Sequence, residues 1–159
     1  PPMNYIPFSE YKKAWIFRHR DLPVSAEDLE QIKPMTEKRS AEVWAQNVSR
    51  ESTHYSYFCK DDWAGKGNTW TESASWQGAW DREDPSLPEE LAAFIEWDDN
   101  TVVYFCYSSE HVIQTTWAVF KRSWKNFLFM DDGPLLIGRK RKEVAQFFEN
   151  GQFKLGCRP

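Results

Sequence analysis

The chain has 159 residues, a net charge of −4, and 41% hydrophobic against 28% charged residues. That composition describes a folded globular chain and excludes intrinsic disorder, and no apolar run approaches the roughly 20 residues of a membrane-spanning helix. The start lacks a signal-peptide pattern, Pro1 and Pro2 read as additions before Met3, and three cysteines without a CxxC argue against a disulfide framework, so one cytoplasmic domain over 1–159 is expected.

The first third reads helical. Residues 11–17 fit a strand or a helical turn. Ser25 caps a short helix over 26–33 that stops before Pro34, and Thr36 caps a second over 37–48 with Ala41, Trp44 and Val48 on one stripe. Residues 61–68 are loop chemistry, and 71–80 fit a short helix with Trp76 and Trp80 at i, i+4. Ser86 followed by Pro88, Glu89 and Glu90 marks a helix start, with serine as the cap and Leu91, Phe94 and Ile95 on the buried side. Residues 101–107 are β-branched and aromatic, a core strand, and 108–110 turn it into a second strand over 111–115. Thr116 then caps a helix with Trp117, Phe120 and Trp124 inward and Lys121, Arg122 and Lys125 on its other side. A hairpin is expected next, from 126–130 through the turn Asp131-Asp132-Gly133-Pro134 to 135–138. Residues 140–149 read as a last helix with Val144, Phe147 and Phe148 inward, and 153–155 as an edge strand. The sum is an α+β fold in which N-terminal helices precede an antiparallel sheet carrying two packed helices.

Tryptophan dominates the candidate chemistry. There are nine, and five fall between Trp63 and Trp97. Residues 51–100 hold 12 acidic and 3 basic residues, a net of −9, whereas 112–159 hold 4 acidic and 9 basic, a net of +5. Such segregation can steer a charged partner, although two solvated faces could also neutralise each other across the fold. Trp15, Trp44, Trp117 and Trp124 fit inward positions; Trp63, Trp70, Trp76 and Trp80 share no period. Those four, with Asp61 and Asp62, are the binding candidates, because tryptophan beside carboxylates can anchor a protein interface, stack on a sugar or cage a cation. The plainer alternative is a loop-rich region that folds its large side chains into its own small core.

Catalytic signals are weak. His54 and Cys59 share their spacing with Cys106 and His111, which could give four zinc donors, but the pattern matches no common zinc motif and Cys106 sits mid-strand. The same strand setting disfavours a Cys106–His111 nucleophile. The pairs Asp61-Asp62, Asp98-Asp99 and Asp131-Asp132 sit at expected turns, where aspartate is common for local reasons. Gly65-Lys66-Gly67-Asn68 lacks phosphate-loop spacing, and no GxSxG, HExxH or dinucleotide fingerprint occurs. No metal and no cofactor is expected. The basic run 139–142 would oppose the dipole of the expected last helix, which suggests that phosphate, nucleic acid or the chain's own acidic segment uses it, but the overall charge argues against nucleic acid.

Asn100-Thr-Val-Val-Tyr-Phe-Cys106, Thr115-Thr-Trp117 and Trp124-Lys-Asn-Phe-Leu-Phe-Met-Asp-Asp-Gly-Pro-Leu-Leu-Ile-Gly138 resemble a small bacterial family of unknown function, domain-of-unknown-function family 2947. Tyr5-Ile-Pro, Trp15-Ile-Phe-Arg-His19 and Asp21-Leu-Pro-Val-Ser25 are similar too. The resemblance implies a compact bacterial cytoplasmic protein and carries no functional residues. The aromatic helix before Asp-Asp-Gly-Pro also looks loosely like small immunity and interaction domains. The expectation is a non-enzymatic, immunity-type binder of a basic protein, with 61–99 as its contact face and no membrane association. The alternative is a binder or hydrolase of a polar, sugar-like small molecule that uses the same tryptophans with Asp61, Asp62 or Asp81.

Overall fold

The computed structural model describes residues 4–129 and 132–159. Among them one sheet is antiparallel throughout. Its strands are β1 (Lys33–Pro34), β2 (Trp70–Ser75), β3 (Val102–Ser108), β4 (His111–Thr116), β5 (Leu135–Gly138), β6 (Glu143–Phe147) and β7 (Gln152–Cys157), in the order β1-β4-β3-β5-β6-β7-β2. The helices are α1 (Ala26–Glu30), α2 (Glu37–Asn47), α3 (Gln77–Asp81), α4 (Glu89–Phe94) and α5 (Trp117–Phe127). The fold is α+β. No helix of the described residues is long and apolar enough to cross a membrane.

The centre of the sheet is buried on both faces, so β3 is apolar almost throughout rather than alternating. Successive side chains point to opposite faces. Val103, Phe105 and Tyr107 enter one layer; Tyr104 and Cys106 enter the other. The first layer is closed by α5 through Trp117, Phe120, Trp124 and Phe127, by Leu91 of α4, and by Ile16 and Phe17 from the 3-10 turn Ala14–Phe17. The second is closed by Val43 and Trp44 of α2. Phe105 is fully buried, with the Phe120 and Phe127 rings at 5.4 and 5.2 Å. Burying a phenylalanine side chain stabilises the fold by about 1.5–3 kcal/mol.

Three caps form where the sequence puts them. Ser25, Thr36 and Thr116 accept from the backbone N–H of Asp28, Arg39 and Val119. Several expectations are corrected. The stretch 140–149 is not a helix: its middle is β6, and 139–142 form the tip of a β5–β6 hairpin, where Lys140 takes a φ of 63°. Val144 faces one layer and Ala145 and Phe147 the other, a pattern that imitates i, i+3 periodicity. No hairpin strand occupies 126–129, because α5 runs on to Phe127; Met130 and Asp131 lie outside the described residues. The expected helix over 71–80 is split between the edge strand β2 and the short α3. Residues 153–155 belong to an interior strand, β7, between β6 and β2. Pro88, not Ser86, holds the N-cap position of α4. The 26–33 helix stops at Glu30, and Lys33–Pro34 pairs with β4. Ser40, Val43 and Trp44 form the inner face of α2, while Ala41 is exposed. Trp15 is not inward: it is 52% exposed.

Gly156 shows why β2 can pair where it does. A side chain there would land on the Thr69 carbonyl oxygen, immediately before β2. Gly133, at φ +82°, faces the Tyr55 ring at a position where an L side chain is strained as well as obstructed.

Candidate functional site

The sequence-derived candidates separate. Trp63 and Trp70 pack at 6.1 Å in the second layer, and each indole donates to the chain's own backbone, to the Asn47 carbonyl at 2.9 Å and the Ala64 carbonyl at 3.0 Å. Trp76 and Trp80 pack at 5.6 Å in the first layer, on the opposite face of the sheet, with the Trp76 indole on the Phe148 carbonyl at 3.0 Å. Asp62 is buried and accepts from the Ser49 hydroxyl at 2.6 Å and the Cys59 N–H at 2.9 Å, while its neighbour Asp61 is exposed. The structure therefore brings each pair together but not the four.

The cysteines and histidines do not converge either. Cys106 is buried, and burial pushes its thiol up to about 12, which suppresses the thiolate. His111 lies 2.5 Å from the Tyr11 hydroxyl. Among the described residues no group of three or more His, Cys, Asp or Glu side chains is placed to hold a metal ion.

A broad concavity lies elsewhere. A cleft of about 730 Å³ runs along α5 between residues 21–28 and the loop holding Glu83 and Pro85. Both walls are tied to the helix. Arg122 makes a bidentate pair with Asp28 of α1, at 3.0 and 2.8 Å. Buried Asn126 donates to the carbonyls of Ile16 and Leu22, at 2.8 and 2.9 Å. On the other wall, the Trp124 indole donates to the carbonyls of Pro85 and Ser86, and the Lys125 ammonium to those of Arg82 and Asp84, at 2.7 and 3.3 Å. Lys125 is thus not on an outer face as the helical pattern implied: it is 7% exposed, and burial holds its pKa below the ordinary lysine range. The Asp28 hydrogen bond moves Arg122 the other way, above its usual value.

Charge in this cleft is lopsided. Asp21, Glu27, Asp28 and Glu83 line it against Arg122 and Lys125. Both cations are already engaged, one by Asp28 and one by backbone carbonyls. Asp21, Glu27 and Glu83 have no ion-pair partner among the described residues. Ser123 adds a neutral group. It is 3% exposed, lines the cleft, and its hydroxyl has no hydrogen-bond partner among the described residues. Trp80 backs this wall, packing on Trp124 at 6.1 Å.

The model of the family described as protein of unknown function (DUF2947) matches residues 5–156. The chain belongs to that family. No curated protein and no solved structure matches the DUF2947 chain. Its cleft was not legible in the sequence, because it joins residues about a hundred positions apart. Among the polar residues of α5, Ser123, Lys125 and Asn126 are buried and flank Trp124, whereas Lys121 and Arg122 are not buried.

Proposed function

We propose that this chain is a non-enzymatic binding domain, of the immunity or interaction type, whose acidic cleft above α5 receives a basic segment of a partner protein. One observation carries the reading. Four carboxylates surround a recess whose only two cations among the described residues are already committed to the fold, so an entering ammonium or guanidinium meets net negative charge. Exposed Asp84 lies in the loop whose carbonyls hold Lys125, and exposed Glu89 lines an adjoining hollow with Asp99 and Lys121. In this reading Trp63, Trp70, Trp76, Trp80 and Asp62 act as scaffold, with Trp80 nearest to recognition, and exposed Asp61 stays outside the site.

A capped pentapeptide of alternating lysine and arginine tests it by titration calorimetry at low salt. Binding is expected, and the double variant Glu27→Gln/Glu83→Gln should weaken it roughly two- to thirty-fold, as befits two partly solvated charge pairs. Equal binding by the double variant overturns the proposal. A second reading, a binder or hydrolase of a polar small molecule, is favoured by the cleft's volume and by the unpaired Ser123 hydroxyl in its lining. Failure of the peptide to bind, with saturable binding of a neutral polyol that Ser123→Ala abolishes, selects it.

A further inference from the structure

Trp15 is the one tryptophan of the nine that the fold leaves exposed. It lies in a 3-10 turn whose other apolar residues, Ala14, Ile16 and Phe17, are all buried. The turn is therefore anchored, and the indole is held outward by it. Its ring sits 6.1 Å from Phe129, tilted by 35°, and the His19 ring meets Phe129 at 5.2 Å and 32°. Three aromatic rings thus share one corner of the surface.

The segment that carries Trp15 is mostly basic. Lys12, Lys13, Arg18 and Arg20 are exposed and lie within five residues of Trp15, against one exposed acid, Glu10, in the same span. None of the four has an ion-pair partner among the described residues. A chain of net −4 thus carries a local excess of positive charge in the segment that holds its exposed indole. The acidic cleft begins at Asp21, so the patch ends where the proposed partner site starts.

We infer that Trp15 and its flanking cations form a binding site for short single-stranded nucleic acid, independent of the cleft. The chemistry fits in two parts. A base offers a planar face to the indole, and stacking of this kind tolerates any sequence. The neighbouring phosphates find cations on the same segment, in exposed Lys12, Lys13, Arg18 and Arg20. An acidic peptide would satisfy the cations and leave the indole without a stacking partner. An anionic membrane would need more inserted apolar surface than one half-exposed ring.

The test uses fluorescence anisotropy of a labelled twelve-nucleotide dT strand with the full chain at low salt. Binding is expected, with a log–log salt slope of about −3, from four phosphate contacts at roughly −0.7 each. Trp15→Ala should weaken binding about ten-fold or more, and Trp15→Phe, which keeps a stacking face, by less. Lys12→Gln/Arg18→Gln should reduce the slope by about 1.4. The wild-type far-ultraviolet spectrum and melting midpoint check that the variants fold. Absence of binding at 20 mM salt, or affinity unchanged in Trp15→Ala, overturns the proposal. So does Trp15-dependent capture by vesicles containing about 30% phosphatidylserine without capture of the oligonucleotide.

Discussion

Replacing Trp76 with alanine separates a tryptophan that supports the fold from one that serves a partner. Trp76 is 9% exposed, packs on Trp80 at 5.6 Å, and donates to the Phe148 carbonyl at 3.0 Å. A buried indole hides about 150–250 Å², which stabilises by roughly 4–6 kcal/mol by area. Mutational experience with buried aromatics gives about 3–5 kcal/mol for the loss, and the orphaned carbonyl is included in that range. For a domain of this size that is a fall in Tm of roughly 6–20 °C. Trp76→Phe retains most of the ring and drops the N–H donor, so about 1–2 kcal/mol is expected. Half-buried Trp70 should lie between the two when replaced by alanine, because its indole bond to the Ala64 carbonyl and its contact with the Lys154 ammonium at 4.8 Å are both lost. Urea denaturation monitored by circular dichroism measures all three. Unfolding free energies of Trp76→Ala and Trp70→Ala that stay within about 0.5 kcal/mol of wild type refute the packing argument and make both residues contact-face candidates again.

Other expectations follow from single contacts. Thr116→Ala removes the side-chain cap of α5 and should lower stability by about 1 kcal/mol in the same denaturation assay. Gly156→Ala places a methyl on the Thr69 carbonyl and should detach β2, seen as faster amide exchange in Trp70–Ser75 than in β6. Tyr55 donates to Asp132, and this hydrogen bond, with burial adding to it, raises the phenol from 10 to about 12. The folded state favours the neutral phenol, so the stabilisation is intact below pH 10 and is lost as pH rises from 10 through 12. Spectrophotometric titration of wild type against Tyr55→Phe should assign the missing ionisation to the upper end of that window; a missing step near 10 contradicts the contact.

Much of the chain's local structure was legible because it rests on short-range physics. Ser25, Thr36 and Thr116 cap helices, and the β-branched, aromatic run at 101–107 forms the central strand. What failed was periodicity at doubly buried positions. In β6, Val144 and Phe147 are both inward on opposite faces, and a sheet with two buried faces erases the alternation that marks a strand. Tertiary contacts also decide which polar residue is buried. Lys125 lies on the polar stripe of α5 by sequence, yet it is covered because the loop carrying Arg82 and Asp84 folds over it. The tryptophan-rich acidic segment is the most unusual stretch of the sequence. Its members are divided between the two sides of the sheet because β2 takes the edge position beside β7, with Trp70 at its start and Trp76 just past its end. The cleft beside it depends on α5 meeting residues 21–28, a contact no local pattern encodes.

The most direct test of the account is the location of binding rather than its strength. Titrating the capped lysine–arginine pentapeptide into isotopically labelled protein should shift backbone amide resonances of the non-proline residues in 21–28, 83–84 and 122–126, and leave those of Trp63 and Trp70 in place. Shifts confined to the Trp63–Trp70 surface, or none at millimolar peptide, contradict the assignment of the α5 cleft as the recognition site.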